Sequence, residues 1–181
     1  MEASRAACLS AGCPMTGSRS YTVSLEPLSA EAFAPFGDVA RRPIGERRRY
    51  LPTALDRAEQ AHVFSLWISS AAARGQLPLR ASVLERHPYS AQTFVPLGAA
   101  RYLAIVCGAA ASGDPDLATL RGFLAGPDQV VTFARNVWHH PMTVLDDHME
   151  FAVAMGVTGR PDDDVFFNLD AAVSVVMPDA P

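Results

Sequence analysis

Glu85-Arg86-His87-Pro88-Tyr89-Ser90-Ala91-Gln92 is the stretch that decides how this chain folds, read together with the later Asn136-Val137-Trp138-His139-His140-Pro141. Both place polar, proton-handling side chains inside otherwise apolar, strand-like sequence. In an extended strand alternate residues share a face, so Glu85 and His87 point one way and Arg86 the other. The same alternation turns His140 away from His139, which puts His139 in a pocket and His140 at its edge or behind it. A turn or a packing requirement explains either motif alone, but not Glu85, His87, Gln92 and His139 together. Trp138 is read as packing.

Outward from these motifs the chain breaks into short strand-like runs divided by Gly, Pro and Asp, at 62–69, 92–97, 101–107, 130–133, 142–145, 149–155 and 173–176. Helix signals are sparse. Ser29 is placed to cap a short helix with Glu31 in its first turn and Gly37 as its stop, and a second short helix is expected at 116–120. The pattern predicts an all-β fold, a barrel or sandwich with a few short helices. Within 62–68 the side chains of Phe64, Leu66 and Ile68 share one face, and His62 at its end is read as a hydrogen-bonded rim residue.

The 181 residues and a hydrophobic fraction of 49% suit one domain, taken as 21–181 after a disordered extension over 1–20. A formal charge of -4, with no basic stripe interleaved with aromatics, argues against nucleic acid as a partner. All 15 Lys+Arg residues are arginine. Without lysine there is no Schiff-base chemistry and no attachment point for pyridoxal phosphate, and no nucleotide cofactor is expected. Cys8, Cys13 and Cys107 are too few and too unevenly spaced for a disulfide framework and suit a reducing cytoplasm. No run is long enough to span a bilayer, so no membrane association is expected. Arg41, Arg42, Arg47, Arg48 and Arg49, offset only by Glu46, form a basic patch around Gly45 that could steer a small anionic substrate.

The two polar motifs resemble the two-part signature of cupin barrels, in which a His-x-His-Pro stretch and a following Glu are joined by one late His. Glu85 stands where the first of those histidines is usual, His87 matches the second, Gln92 replaces the Glu, and His139 matches the late His. More specifically, E-R-H-P-x-x-x-Q-x-F-x-P-L from Glu85 to Leu97, and N-V-W-H-H-P, resemble the ureidoglycolate lyase family. Collinear matches at 28–39 and 114–123 extend that resemblance over residues 23–155. It implies a cupin-like, jelly-roll type barrel, a homodimer, and cleavage of ureidoglycolate to glyoxylate and urea in allantoin catabolism, a branch of purine metabolism.

It also implies a site. His87, Gln92 and His139, with Glu85 as a possible fourth group, would hold either a divalent metal or a substrate oxygen. Glu85 or His140 would move the proton. Arg57 or Arg135 would meet the carboxylate of the substrate. The chain departs from the family pattern in four places: the Asn-rich and Arg-x-His-Asp-Leu elements are missing from 49–60 apart from Arg57, a Tyr-His pair is Phe133-Ala134, and an Asp-Arg pair is Met155-Gly156. Those changes leave two other readings open, a divergent cupin enzyme acting on another small hydroxy or ureido acid, and a non-catalytic cupin that binds a small molecule.

Overall fold

A computed structural model describes residues 21–71 and 75–178; the expected extension over 1–20 lies outside the described residues. The strands are β1 (Thr22–Pro27), β2 (Gly37–Arg41), β3 (Val63–Ala71), β4 (Leu79–Arg86), β5 (Gln92–Pro96), β6 (Tyr102–Ala109), β7 (Pro115–Ala125), β8 (Gln129–Phe133), β9 (Trp138–His139), β10 (Thr143–Val144), β11 (Met149–Val157) and β12 (Val165–Val176). Helix is confined to α1 (Ala30–Phe33) and short 3-10 turns at Pro52–Leu55 and Pro161–Asp163. All seven expected strands are present, and the all-β barrel is the architecture observed.

β9 pairs with β6 on one side and β4 on the other, which closes β6-β7-β1-β12-β4-β9 into a ring. A second sheet, β2-β8-β5-β11-β3, lies against it. Directly paired strand residues share a face, and this sorts the side chains. Tyr102, Ala104 and Val106 of β6 join Phe94, Phe133 and Phe151 of the second sheet in one buried cluster. The alternate residues Leu103, Ile105 and Cys107 turn into the ring, where Leu25, Val173 and Trp138 pack. Both faces of β6 are therefore buried, which is why its sequence reads as an unbroken apolar run.

The Ser29 hydroxyl accepts a hydrogen bond from the Ala32 amide at 3.1 Å and caps α1 as expected. That turn delivers the fully buried Phe33 into the core against Phe36, Phe123 and Phe133. Gly37 follows at φ +146, and a Cβ there would lie 1.9 Å from the Thr132 carbonyl, so only glycine lets β2 reach β8.

The expected helix at 116–120 is instead part of β7. Asp116 accepts from the Ala118 amide, and the Thr119 hydroxyl donates to the Asp116 carbonyl. These are the local bonds that made the segment look helical. They occur at a β-bulge, where the ladder slips between Val106 and Gly108 and the Thr119 hydroxyl receives the Gly108 amide. Pairing with β6 and β1 overrides the local preference.

Candidate active site

β4 ends by presenting Glu85 toward the second sheet, with His87 one step beyond. Pro88–Ser90 then reverses the chain so that Gln92, the first residue of β5, returns beside His87. The His87 ring Nε2 lies 3.0 Å from Gln92 Oε1. From the other direction, Asn136 adopts φ 69, a left-handed conformation that asparagine tolerates, and its amide donates to the His87 carbonyl at 2.9 Å. This turn launches β9, where His139 sits directly opposite Glu85 of β4 and Val106 of β6. Trp138 points into the ring and packs on Phe167, and the Arg86 guanidinium lies 4.6 Å above its ring centroid.

The four expected residues thus meet. One ligand atom each from Glu85, His87 and His139 fall within 4.8 Å of one another. The two imidazole centroids are 5.2 Å apart. His139 is held in place by stacking on Phe133 at 4.2 Å, nearly parallel, and its Nδ1 donates to the Val137 carbonyl. Its Nε2 is buried without a hydrogen-bond partner among the described residues, although Glu85 Oε1 approaches to 3.5 Å. With Nδ1 carrying the hydrogen, Nε2 presents a free lone pair to the cluster.

Burial drives the two histidines toward neutrality, and their partners split them. Around His87 burial is outweighed by the Asp164 carboxylate, 2.8 Å from Nδ1, by Glu85 and by the Asp163 carbonyl, so its pKa is raised. His139 has Glu85 beside it, but burial and the charge on His87 prevail and its pKa is lowered. A charged His87 donates from Nδ1 to Asp164 and from Nε2 to Gln92. An imidazole biased toward its charged form beside one biased toward its neutral form is the arrangement that separates proton donor from proton acceptor.

Two cavities open onto the cluster, of about 260 Å³ and about 470 Å³. Glu85, Gln92 and Trp67 line both. The first is otherwise walled by Phe94, Met142 and Phe151, and the second by His87, Met155, Arg160 and Asp164. Arg160 is the only arginine among the described residues that line either one, and it is paired with Asp162, Nε to Oδ1 at 3.1 Å. Asp162 in turn accepts the Tyr89 hydroxyl at 2.6 Å.

Other expected residues lie elsewhere. Arg135 is exposed, with Asp56 at 4.0 Å, and Arg57 is exposed and bridges to Ser90; neither lines a cavity at the cluster. The Arg57 side chain packs where a Cβ on Gly156 would stand, with Cδ 3.1 Å from it. His140 turns away from His139, and its Nδ1 donates to the Pro141 carbonyl at 2.7 Å. His62 is exposed and bonded to the Gln60 carbonyl. The sequence reading omitted Asp164 and Arg160. Both sit in the 158–164 turn, an acidic Gly-Pro segment that reads as ordinary solvated loop, and nothing in its spacing signals a contact with His87.

A closed β-ring with two histidines and a carboxylate converging from β4 and β9 defines a cupin-type protein. Within that class the chain belongs to the ureidoglycolate lyase family, whose model matches residues 20–175. It is 40% identical over 158 residues to an Agrobacterium fabrum protein named provisionally as ureidoglycolate lyase, covering 87% of this chain and 97% of that one. It is 36% identical over 157 residues to the ureidoglycolate lyase of Brucella melitensis biotype 2 (81% and 90% covered), and 35% over 159 residues to that of Pseudomonas paraeruginosa (82% and 92%).

Proposed function

We propose that this protein is a carbon-nitrogen lyase that cleaves ureidoglycolate to glyoxylate and urea, with its reaction centre at Glu85, His87, Gln92 and His139. The observation that carries the reading is the convergence of Glu85, His87 and His139 within 4.8 Å, with Glu85 lining both small cavities and His87 one of them, in a chain of this family. The reaction removes a proton from the substrate hydroxyl, forms the aldehyde carbonyl, breaks the carbon–nitrogen bond and returns a proton to the departing urea nitrogen. His139 Nε2 and the Glu85 carboxylate form the basic pair that takes the hydroxyl proton. Glu85, facing both cavities, carries it to the nitrogen. His87, held by Asp164, turns its Nε2 hydrogen from Gln92 to a substrate oxygen and stabilises the negative charge that builds there.

The substrate carboxylate needs a cation in a cavity that already carries Glu85 and Asp164. Arg160 supplies it, and the Tyr89–Asp162 pair positions the guanidinium. Trp67, Phe94 and Met155 exclude water. Met155 is apolar where the family pattern has an acid, and this lowers the negative charge around an anionic substrate.

The same cluster fits a divalent metal. An orphaned, buried imidazole nitrogen faces a carboxylate and a second imidazole, a borderline donor set suited to first-row divalent ions. Glu85, His139 and a neutral His87, its Nε2 freed of the hydrogen, would hold it with Gln92 beside them, and it would supply Lewis acidity at the hydroxyl.

We also place the enzyme in the cytoplasm, in keeping with the free, buried Cys107, in allantoin catabolism, and as a homodimer. Nine-residue β3 is an edge strand without charge or proline, and Phe64, Leu66 and Ile68 on it are more than half exposed. A second copy covering that edge would satisfy both features.

The activity is tested with purified protein and ureidoglycolate, following glyoxylate and urea separately. Stoichiometric release of both supports the assignment. No release, together with turnover of another hydroxy acid, points to the divergent enzyme, and ligand-induced thermal stabilisation without product points to a binding protein.

A further inference from the structure

We infer that the chain carries a second anion site, at the end of the β2–β8 pair opposite the reaction centre, which takes an organic phosphate with an apolar body. Gly37 of β2 pairs with Phe133, the ring on which His139 stacks, whereas Arg41 pairs with Gln129 at the other end of the ladder. Four residue steps separate the two ends, roughly 13 Å. At that far end a cavity of about 320 Å³ is lined by Leu28, Ser29, Val39, Arg41, Arg42 and Arg49, among others.

Three observations make this more than a solvated patch. The first is charge. Residues 41–49 hold five arginines and one glutamate within a chain whose formal charge is -4, so cationic character is concentrated where the molecule otherwise repels anions.

The second is the state of the arginines. Arg49 is paired with Glu46 at 2.9 Å and Arg41 only loosely with Asp128 at 3.8 Å. The Arg42 guanidinium has no ion pair or side-chain hydrogen bond among the described residues; only its amide is engaged, with the Asp128 carbonyl. An arginine fork beside a cavity, with its donors unspent, matches the oxygens of phosphate.

The third is the neighbour. Arg42 also lines an adjoining cavity of about 430 Å³, whose walls are mainly Val95, Pro96, Pro127 and Val130. The Asp128 carboxylate stands there too, facing Arg41, and a bound anion would compete with it for that arginine. Arg42 thus stands between a cationic recess and an apolar one. That pairing selects a ligand with a phosphate at one end and an apolar or aromatic group at the other. The Ser29 hydroxyl, whose oxygen caps α1, still has its hydrogen to donate into the first recess.

This site is independent of the lyase assignment and is tested by calorimetry with phenyl phosphate, inorganic phosphate and phenol on the full chain. The expected result is saturable binding of phenyl phosphate, several-fold weaker binding of inorganic phosphate and none of phenol. Arg42→Ala, an exposed change, should weaken phenyl phosphate at least tenfold without altering ureidoglycolate turnover. Arg160→Ala should leave phenyl phosphate binding as it was. The proposal is overturned by absence of saturable binding at millimolar concentration, by equal affinity in Arg42→Ala, or by loss of binding in Arg160→Ala, which would move the phosphate to the reaction centre.

Discussion

Glu85 and His139 face one another as directly paired residues of β4 and β9, with carboxylate oxygen and imidazole Nε2 3.5 Å apart. β9 is only two residues long, yet it closes the ring, so the strand pair that completes the barrel is also the pair that assembles the basic centre. Stability and chemistry meet at one rung of the ladder.

Replacing His139 by Gln keeps a polar side chain of similar reach but removes the imidazole lone pair. Turnover should fall by about 10²–10⁴-fold, the usual worth of a positioned proton acceptor. His87→Asn should fall by a similar factor. Steady-state kinetics on variants with wild-type circular dichroism checks this. Near-normal kcat/KM in both would remove the histidines from the mechanism.

Asp164 acts only through His87. Asp164→Asn removes the carboxylate that holds the Nδ1 hydrogen and supports the charge, so the His87 pKa should drop, and the rate should fall about 10–100-fold as for other groups that orient a working histidine. Imidazole NMR shifts followed against pH report the first effect directly. An unchanged His87 titration would show that Asp164 is a bystander.

Arg160→Ala should raise KM for ureidoglycolate by tenfold or more with a smaller effect on kcat, because a carboxylate anchor contributes binding shared by ground and transition states. Arg160→Lys should recover part of the loss, limited by the missing fork. A kcat defect with normal KM would contradict the anchoring role.

The lowered pKa of His139 has a consequence for stability. Its folded value lies below its unfolded one, so its contribution is complete above about pH 6.5 and is lost as pH falls toward the depressed value. His87 works in the opposite sense: with a raised folded pKa, its contribution is complete below about pH 6.5 and is lost as pH rises through that value. Thermal melts of wild type and His139→Gln between about pH 5 and 8 separate the two. The variant should lose less stability than wild type on the acid side, and parallel profiles would refute the assignment.

Gln92→Glu would give the cluster the carboxylate that an ordinary cupin has at that position. Divalent metal binding, measured by calorimetry on chelator-treated protein, should become at least tenfold tighter, since an anionic ligand replaces a neutral one. Unchanged affinity would mean that Gln92 does not reach the metal.

The parts of the molecule legible in the sequence are those governed by periodicity or by residues with few alternatives. Strand alternation put Glu85 and His87 on one face and split His139 from His140, and the structure places them so. β6 and β11 stood out because their apolar runs are long. β1, β2 and the first part of β12 gave little signal: Ser24, Glu26, Asp38 and Asn168 interrupt their apolar pattern, and only pairing with other strands makes them strands. The same dependence on partners turned the helix-like 116–120 into β7. Asp164 and Arg160 were invisible for a different reason. Their roles depend on where an irregular turn passes beside His87, and no local property of residues 158–164 encodes that position.

The most direct test is a crystal structure of the protein with glyoxylate or a non-cleavable hydroxy-acid analogue. The account predicts the ligand between the two rings, with one oxygen within hydrogen-bonding or metal-bridging reach of both His87 Nε2 and His139 Nε2 and its carboxylate toward Arg160. A ligand bound elsewhere on the chain, with the His87–His139 space closed, would contradict it.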